Sequence, residues 1–149
     1  MKITKVYTDG ACSGNPGAGG WGAVIITDQI LKYGGNEEKT TNNRMELKAA
    51  IMGISKADIN TKIILYTDSK YVKDGITTWV TNWKNNNWIT SSKKPVKNQD
   101  LWKKLDQLNN QYSIEWKWVK AHQDINTEES KYNNMADELA REGALKCKD

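Results

Sequence analysis

The chain has little of several things. In 149 residues there are two cysteines, Cys12 and Cys147, and one histidine, His122. Two cysteines near opposite ends with no CxxC partner exclude a zinc framework and a disulfide-stapled fold, and both are expected as free thiols. No apolar run approaches the length needed to cross a bilayer. The N-terminus "MKITKVYTDG" carries neither the apolar stretch of a signal peptide nor the Arg-rich helix of a transit peptide, so the expected location is the cytoplasm. Charge of one sign is also scarce: 22 Lys plus Arg stand against 18 Asp plus Glu, a net charge of +4. That is too little to identify a polyanionic partner, and the distribution must decide. What is present, 38% hydrophobic and 27% charged residues, is the balance of a soluble globular chain. The length suits one domain over residues 1–149, expected to fold alone as a monomer.

Along the chain, "KITKVYT" is β-branched and aromatic and is expected as a strand that stops at the glycine-rich "DGACSGNPGAGG", which reads as loop. "WGAVIITD" and "ILKYGG" continue an antiparallel meander. "NNRMELKAAIMGISKA" then changes period: Leu47, Ala50, Ile51 and Ile54 recur at helical spacing, with Asn42 or Asn43 as the N-cap. "KIILYT" is a continuous apolar run, as expected of a central strand covered on both faces and parallel to the first. "SKYVKDGITTWVTNWKNN" and "NQDLWKKLDQLNNQ" read as helices. "SIEWKWVK" alternates Ile114, Trp116 and Trp118 against Glu115 and Lys117, a half-buried strand, and "YNNMADELAREGALK" carries a last helix. The expected class is α/β: a mixed five-stranded sheet, three antiparallel strands then two parallel ones, with helices packed on it.

Two strands expected to lie parallel end on the same tripeptide, "YTD", at Asp9 and Asp68. Ligands of open α/β sheets gather beyond the carboxyl ends of parallel strands. Either aspartate alone is more simply a turn former or a helix cap. Glu46 lies early in a helix whose same-face neighbours Ala50 and Gly53 are small enough to let that face approach the sheet. Asp137 likewise shares a face with Ala140 and Ala144, although a surface pair with Arg141 accounts for it equally well. Carboxylates that converge with no Lys or Arg between them repel one another, and a divalent cation is the usual remedy. Oxygen-only ligands favour Mg²⁺ or Mn²⁺. Four acids can hold two such ions for in-line displacement at phosphorus, which points to a metal-dependent phosphodiester hydrolase.

The segments "YTDGACSGNPGAGGWGA", "TTNNRMELKAA", "YTDSKYV", "KKPVKNQDLW" and "WVKAH…NNMADELA", in this order and spacing, closely resemble type 1 ribonuclease H of the bacterial kind. The resemblance runs from about residue 3 to 145. It implies the ribonuclease H-like fold and an enzyme that cuts the RNA strand of an RNA–DNA hybrid internally with two Mg²⁺ ions, leaving 5′-phosphate and 3′-hydroxyl ends. It further implies that Asp9, Glu46, Asp68 and Asp137 are the metal-binding carboxylates, with Asp9 bridging both ions. His122 would be an accessory catalytic group, moving a proton near neutral pH or assisting product departure.

Telling RNA from DNA means reading 2′-hydroxyls across a shallow minor groove, a task for short neutral hydrogen-bonding groups and backbone. Asn15, Asn42 and Asn43 suit it. By resemblance Asn15, Asn43, Glu46 and the backbone near Cys12 contact the RNA strand, while Thr41 and Asn98 cradle a DNA phosphate. Residues 79–102 interleave Trp79, Trp83, Trp88 and Trp102 with Lys84, Lys93, Lys94 and Lys97, like the family's basic protrusion that grips the DNA strand. Packing between helices is the competing expectation for Trp79, Trp83 and Trp102.

The sequence departs from the family pattern in three places. The protrusion reads "WKNNNW", less basic than usual. After His122 the acidic "QDINTEESKY" replaces a short glycine loop, and "NTEE" has the form of an Asn-led capping box that can extend the last helix. Lys70 stands where glutamine is frequent and adds a positive charge beside Asp68. Three alternatives remain open: a catalytically impaired module that only binds hybrids, another nuclease or integrase of the same fold, and a small-molecule phosphatase.

Overall fold

The structure, a computed structural model, describes residues 2–121 and 126–147. His122 and Asp124 lie outside the described residues. Five strands, β1 (Ile3–Cys12), β2 (Gly17–Ile26), β3 (Ile30–Thr40), β4 (Lys62–Thr67) and β5 (Ser113–Trp118), form one sheet in the order β3-β2-β1-β4-β5. The first three are antiparallel, and β4 and β5 join parallel to β1. The helices are α1 (Asn42–Lys56), α2 (Lys70–Asp74), α3 (Val80–Asn85), α4 (Gln99–Gln111) and α5 (Glu128–Lys146). The expected sheet therefore stands, and no helix among the described residues is long and apolar enough to cross a membrane.

Several expected boundaries move. β1 does not stop at Asp9: Gly10, Ala11 and Cys12 pair with Trp21, Gly20 and Gly19 of β2. The glycines are strand here because helices press on both faces of the hairpin and leave no room for side chains. A Cβ on Gly19 would come within 2.9 Å of the Met45 Cγ of α1, and one on Gly20 would stand 2.9 Å from the Gly143 carbonyl carbon of α5. Thr41, rather than Asn42 or Asn43, caps α1, its hydroxyl accepting from Arg44 N at 3.2 Å. The helix expected over residues 69–86 is interrupted by a π-helical turn, Gly75–Trp79, where the Trp102 ring lies so close to Gly75 that a methyl group would collide with it. Thr127, rather than Asn126, caps α5. Glu128 and Glu129 belong to its first turn, an acidic start that suits the positive end of the helix dipole.

The core lies between the sheet and α1, α2 and α4, and includes Val6, Leu47, Ile54, Ile63, Leu65, Val72, Trp102 and Leu105. On the other face α5 covers β1 and β2, where Tyr7 and Tyr66 stack at 4.3 Å beside Ala136. Both cysteines are free thiols.

Candidate active site

The site is a consequence of unequal strand lengths. The parallel pairing of β1 with β4 ends at Thr8 opposite Thr67, while β1 runs on four residues. Asp9 thus lies inside its strand but past the end of the neighbouring one, and Asp68 follows β4 directly. Where β4 has ended, the Gly10 N–H turns to carboxylates: it donates to Glu46 Oε1 at 2.6 Å and to Asp9 Oδ1 at 2.9 Å. Glu46 arrives from α1, which approaches because residue 10 is glycine: a Cβ there would stand 2.5 Å from the Met45 carbonyl carbon. Asp137 arrives from α5, whose Ala140 and Ala144 are buried as expected.

Asp9, Glu46 and Asp68 each offer one carboxylate oxygen within 4.8 Å of the others. Asp9 and Glu46 are buried, only 4% and 7% exposed. Asp137 and Arg141 line the same open pocket, with Gly10, Ala11, Cys12, Asn42 and Ala121. Asp137 meets Arg141 Nε at 3.0 Å, so the expected pair with Arg141 is present, at the wall of the pocket that both residues line. Around Asp68, Trp118 Nε1 donates to the backbone oxygen at 3.1 Å, and Asn133 Nδ2 donates to the side chain at 3.4 Å.

The electrostatics are strained in a direction a cation relieves. Burial raises the proton affinity of Asp9, and the charges of Glu46 and Asp68 raise it further. Burial likewise raises Glu46, as does Asp68, against the lowering effect of hydrogen bonds from Asp9 and Gly10. Three oxygen donors gathered within coordination reach, with no thiolate or imidazole among them and the lining Arg141 already paired to Asp137, fit a hard divalent cation.

The other singled-out residues fall into separate groups. Asn15 Oδ1 accepts from Asn42 N at 3.0 Å, bringing the β1–β2 turn against the start of α1, where Thr41 is half-buried and Asn43 exposed. Cys12 sits in that hairpin, its Sγ 3.4 Å from Thr40 O. Asn98 is tied to this region by Arg44, whose Nη1 is 3.3 Å from Asn98 Oδ1 and whose guanidinium grips Asp100 at 2.8 and 3.0 Å. Lys70 lies over the Trp118 ring, Nζ 4.9 Å from its centroid. Trp118 is therefore an exposed platform rather than the buried end of an alternating strand. In the protrusion Trp102 is fully buried, Trp83 and Trp88 are half-buried, and Trp79 is 36% exposed. Lys93, Lys94 and Lys97 project into solvent, while Lys84 pairs with Asp106 at 3.1 Å. Sequence reasoning passed over Arg44, Trp118 and Asn133. Only "NRMEL", which places a cation two residues before Glu46, carried any signal for them.

A pocket past the parallel strands of an α/β sheet, with carboxylates gathered as its candidate ligands, defines a class, the hydrolases that work with divalent cations. The family model of RNase H matches residues 1–145. A ribonuclease H of Wolbachia pipientis wMel is 55% identical over 145 residues, covering 97% of both chains. One from Brucella anthropi is 51% identical over 144 residues, covering 96% of this chain and 90% of the relative. The solution structure of the PFV RNase H domain superposes with a TM-score of 0.82 at 27% identity, covering 97% of this chain and 96% of that one. The chain belongs to the RNase H family, and the reading as a nuclease and hydrolase stands.

Proposed function

We propose that the chain is an endoribonuclease that hydrolyses the RNA strand of RNA–DNA hybrids, with Asp9, Glu46, Asp68 and Asp137 holding two Mg²⁺ ions. The observation that carries this is the convergence of three carboxylate oxygens within 4.8 Å, in a pocket that Asp137 also lines, in a chain of this family. Two such ions, held by Asp9, Glu46, Asp68 and Asp137, would supply Lewis acidity for the attack of water and the departure of the 3′ oxygen.

The chain's own residues do the rest. The Gly10 N–H fixes Glu46 against Asp9, and Arg141 holds Asp137 at the pocket wall. Burial strengthens every electrostatic contact between the carboxylates and what they hold. Asn15, bonded to Asn42 N at the start of α1, together with Asn42, Asn43 and the backbone at Cys12, suits 2′-hydroxyls. Thr41 and Asn98, bridged by Arg44, suit a phosphate of the DNA strand. Lys93, Lys94 and Lys97, with Trp79 and the paired Lys84, suit that strand further along, and Lys70 suits a backbone phosphate near Asp68. His122 serves as an accessory proton carrier, and the protein works as a cytoplasmic monomer.

The test is a comparison of substrates. RNA labelled at its 5′ end is presented in an RNA–DNA hybrid, in an RNA duplex and as a single strand, with Mg²⁺ and with EDTA. Internal cuts confined to the hybrid, abolished by EDTA and leaving 5′-phosphate ends, are expected. Hybrid bound but intact in both Mg²⁺ and Mn²⁺ would make the chain a binding module instead.

A further inference from the structure

Asn133 stands in the second turn of α5, one turn before Asp137 and on the same face of the helix. It is buried, 2% exposed. Its Nδ2 donates to Asp68 Oδ2 at 3.4 Å, while its Oδ1 is buried with no hydrogen-bond partner among the described residues. Asparagine is among the weaker helix formers, and a buried amide with an orphaned oxygen costs further stability. The carboxylate that its amide faces accounts for an asparagine here. The orientation follows from charge, because turning the amide over would set its oxygen against the Asp68 carboxylate.

From this geometry we infer that Asn133 is a positioning residue for Asp68, holding that carboxylate in the orientation in which it receives a divalent cation. The inference rests on the proposed function. Asp68 needs such a support more than its partners do. Glu46 has the Gly10 N–H at 2.6 Å and Asp137 has Arg141 at 3.0 Å, whereas Asp68 follows the last residue of β4. The Trp118 indole holds its backbone oxygen but leaves the side chain to rotate. A neutral amide is the fitting donor. A lysine or arginine in this place would neutralise Asp68 and compete with the cation, while an amide fixes one oxygen and leaves the net charge of the cluster intact. Groups that orient metal ligands in this way commonly contribute about ten- to a hundredfold to affinity.

The test separates support of the ligand from support of the fold. Mn²⁺ is titrated calorimetrically into the wild type, Asn133→Leu and Asp9→Asn, and each protein is melted in EDTA. Leucine nearly matches the amide in shape and removes the orphaned oxygen, so the expected melting temperature of Asn133→Leu is equal to or above that of the wild type. Its Mn²⁺ affinity is expected to fall about tenfold, with hybrid cleavage recovering as Mn²⁺ is raised. Asn133→Ser serves the same comparison should the leucine variant not fold. An unchanged Mn²⁺ affinity in the variant, with normal binding by the wild type, overturns the positioning role alone. Wild-type binding that is absent, or insensitive to Asp9→Asn, overturns the proposed metal site and this inference with it.

Discussion

Replacing Gly10 by alanine tests whether the site is built by close approach of α1 to β1. The new Cβ would stand 2.5 Å from the Met45 carbonyl carbon and 2.9 Å from the Met45 Cβ, with Glu46 N nearer still. Carbon atoms prefer about 3.5–4.0 Å, so the start of α1 must retreat by about 1 Å. It cannot do so freely, because Met45, Leu47, Ala49 and Ala50 are fully buried. Overpacking of this kind costs about 1–3 kcal/mol. Loss of the Gly10 hydrogen bond to a carboxylate adds about 1.5–3 kcal/mol. A total near 4 kcal/mol is a large part of the roughly 5–15 kcal/mol that holds a domain together. At about 3 °C per kcal/mol for a chain of this size, the melting temperature is expected to fall by about 10 °C. Displacing Glu46 by about 1 Å should also slow cleavage about a hundredfold at temperatures where the variant is folded. Differential scanning calorimetry and a gel assay on labelled hybrid read both effects. A variant that melts within 2 °C of the wild type, by the ~3 °C per kcal/mol scale, and cleaves at the same rate would refute the close-approach account.

The remaining predictions concern charge and the protrusion. Asp9 and Glu46 have folded-state proton affinities raised above their unfolded values. Their contribution to stability is therefore full below about pH 4 and is lost as pH rises toward the folded values. In EDTA at pH 7, Asp9→Asn should melt at least about 3 °C above the wild type and show a flatter pH profile; a lower melting temperature there would contradict the repulsion. Changing Lys93, Lys94 and Lys97 together to alanine should weaken hybrid binding and reduce the slope of log affinity against log salt by about two to three, measured by fluorescence anisotropy. An unaltered slope would remove these lysines from the interface. Trp102→Ala should cost about 3–5 kcal/mol in urea unfolding because its ring is core. Trp79→Ala should cost less than about 1 kcal/mol and affect binding instead. Equal destabilisation by the two would erase the distinction.

The periodicities of "KIILYT" and "NNRMELKAAIMGISKA" were legible because apolar spacing and burial agree there. The glycine run was not. Gly19, Gly20 and Gly22 look like loop to any local propensity, and become strand only because helices from distant parts of the chain press against both faces. The break at Gly75 has the same origin, since its cause, Trp102, lies in another helix. Caps shifted by a residue because a hydroxyl at Thr41 or Thr127 reaches the helix N–H groups that neighbouring asparagines also could serve. At the site, Asp9 and Asp68 declared themselves by repeating where the pairing of the two parallel strands stops, and Glu46 and Asp137 by small neighbours on their helix faces. Arg141, one helical turn from Asp137, was legible from that spacing, whereas the Gly10 N–H, Trp118 and Asn133 depend on three-dimensional proximity that no local pattern records.

The most direct test of the metal-dependent nuclease reading is single-turnover cleavage of a labelled RNA–DNA hybrid in Mg²⁺ by the wild type and by Asp9→Asn, each first shown to be folded and to bind the hybrid. The account predicts that the wild type cuts the RNA strand internally, and that the variant binds the hybrid yet cleaves at least about a thousandfold more slowly, a loss of about 4 kcal/mol of transition-state stabilisation. Cleavage by Asp9→Asn at a rate near that of the wild type would contradict it.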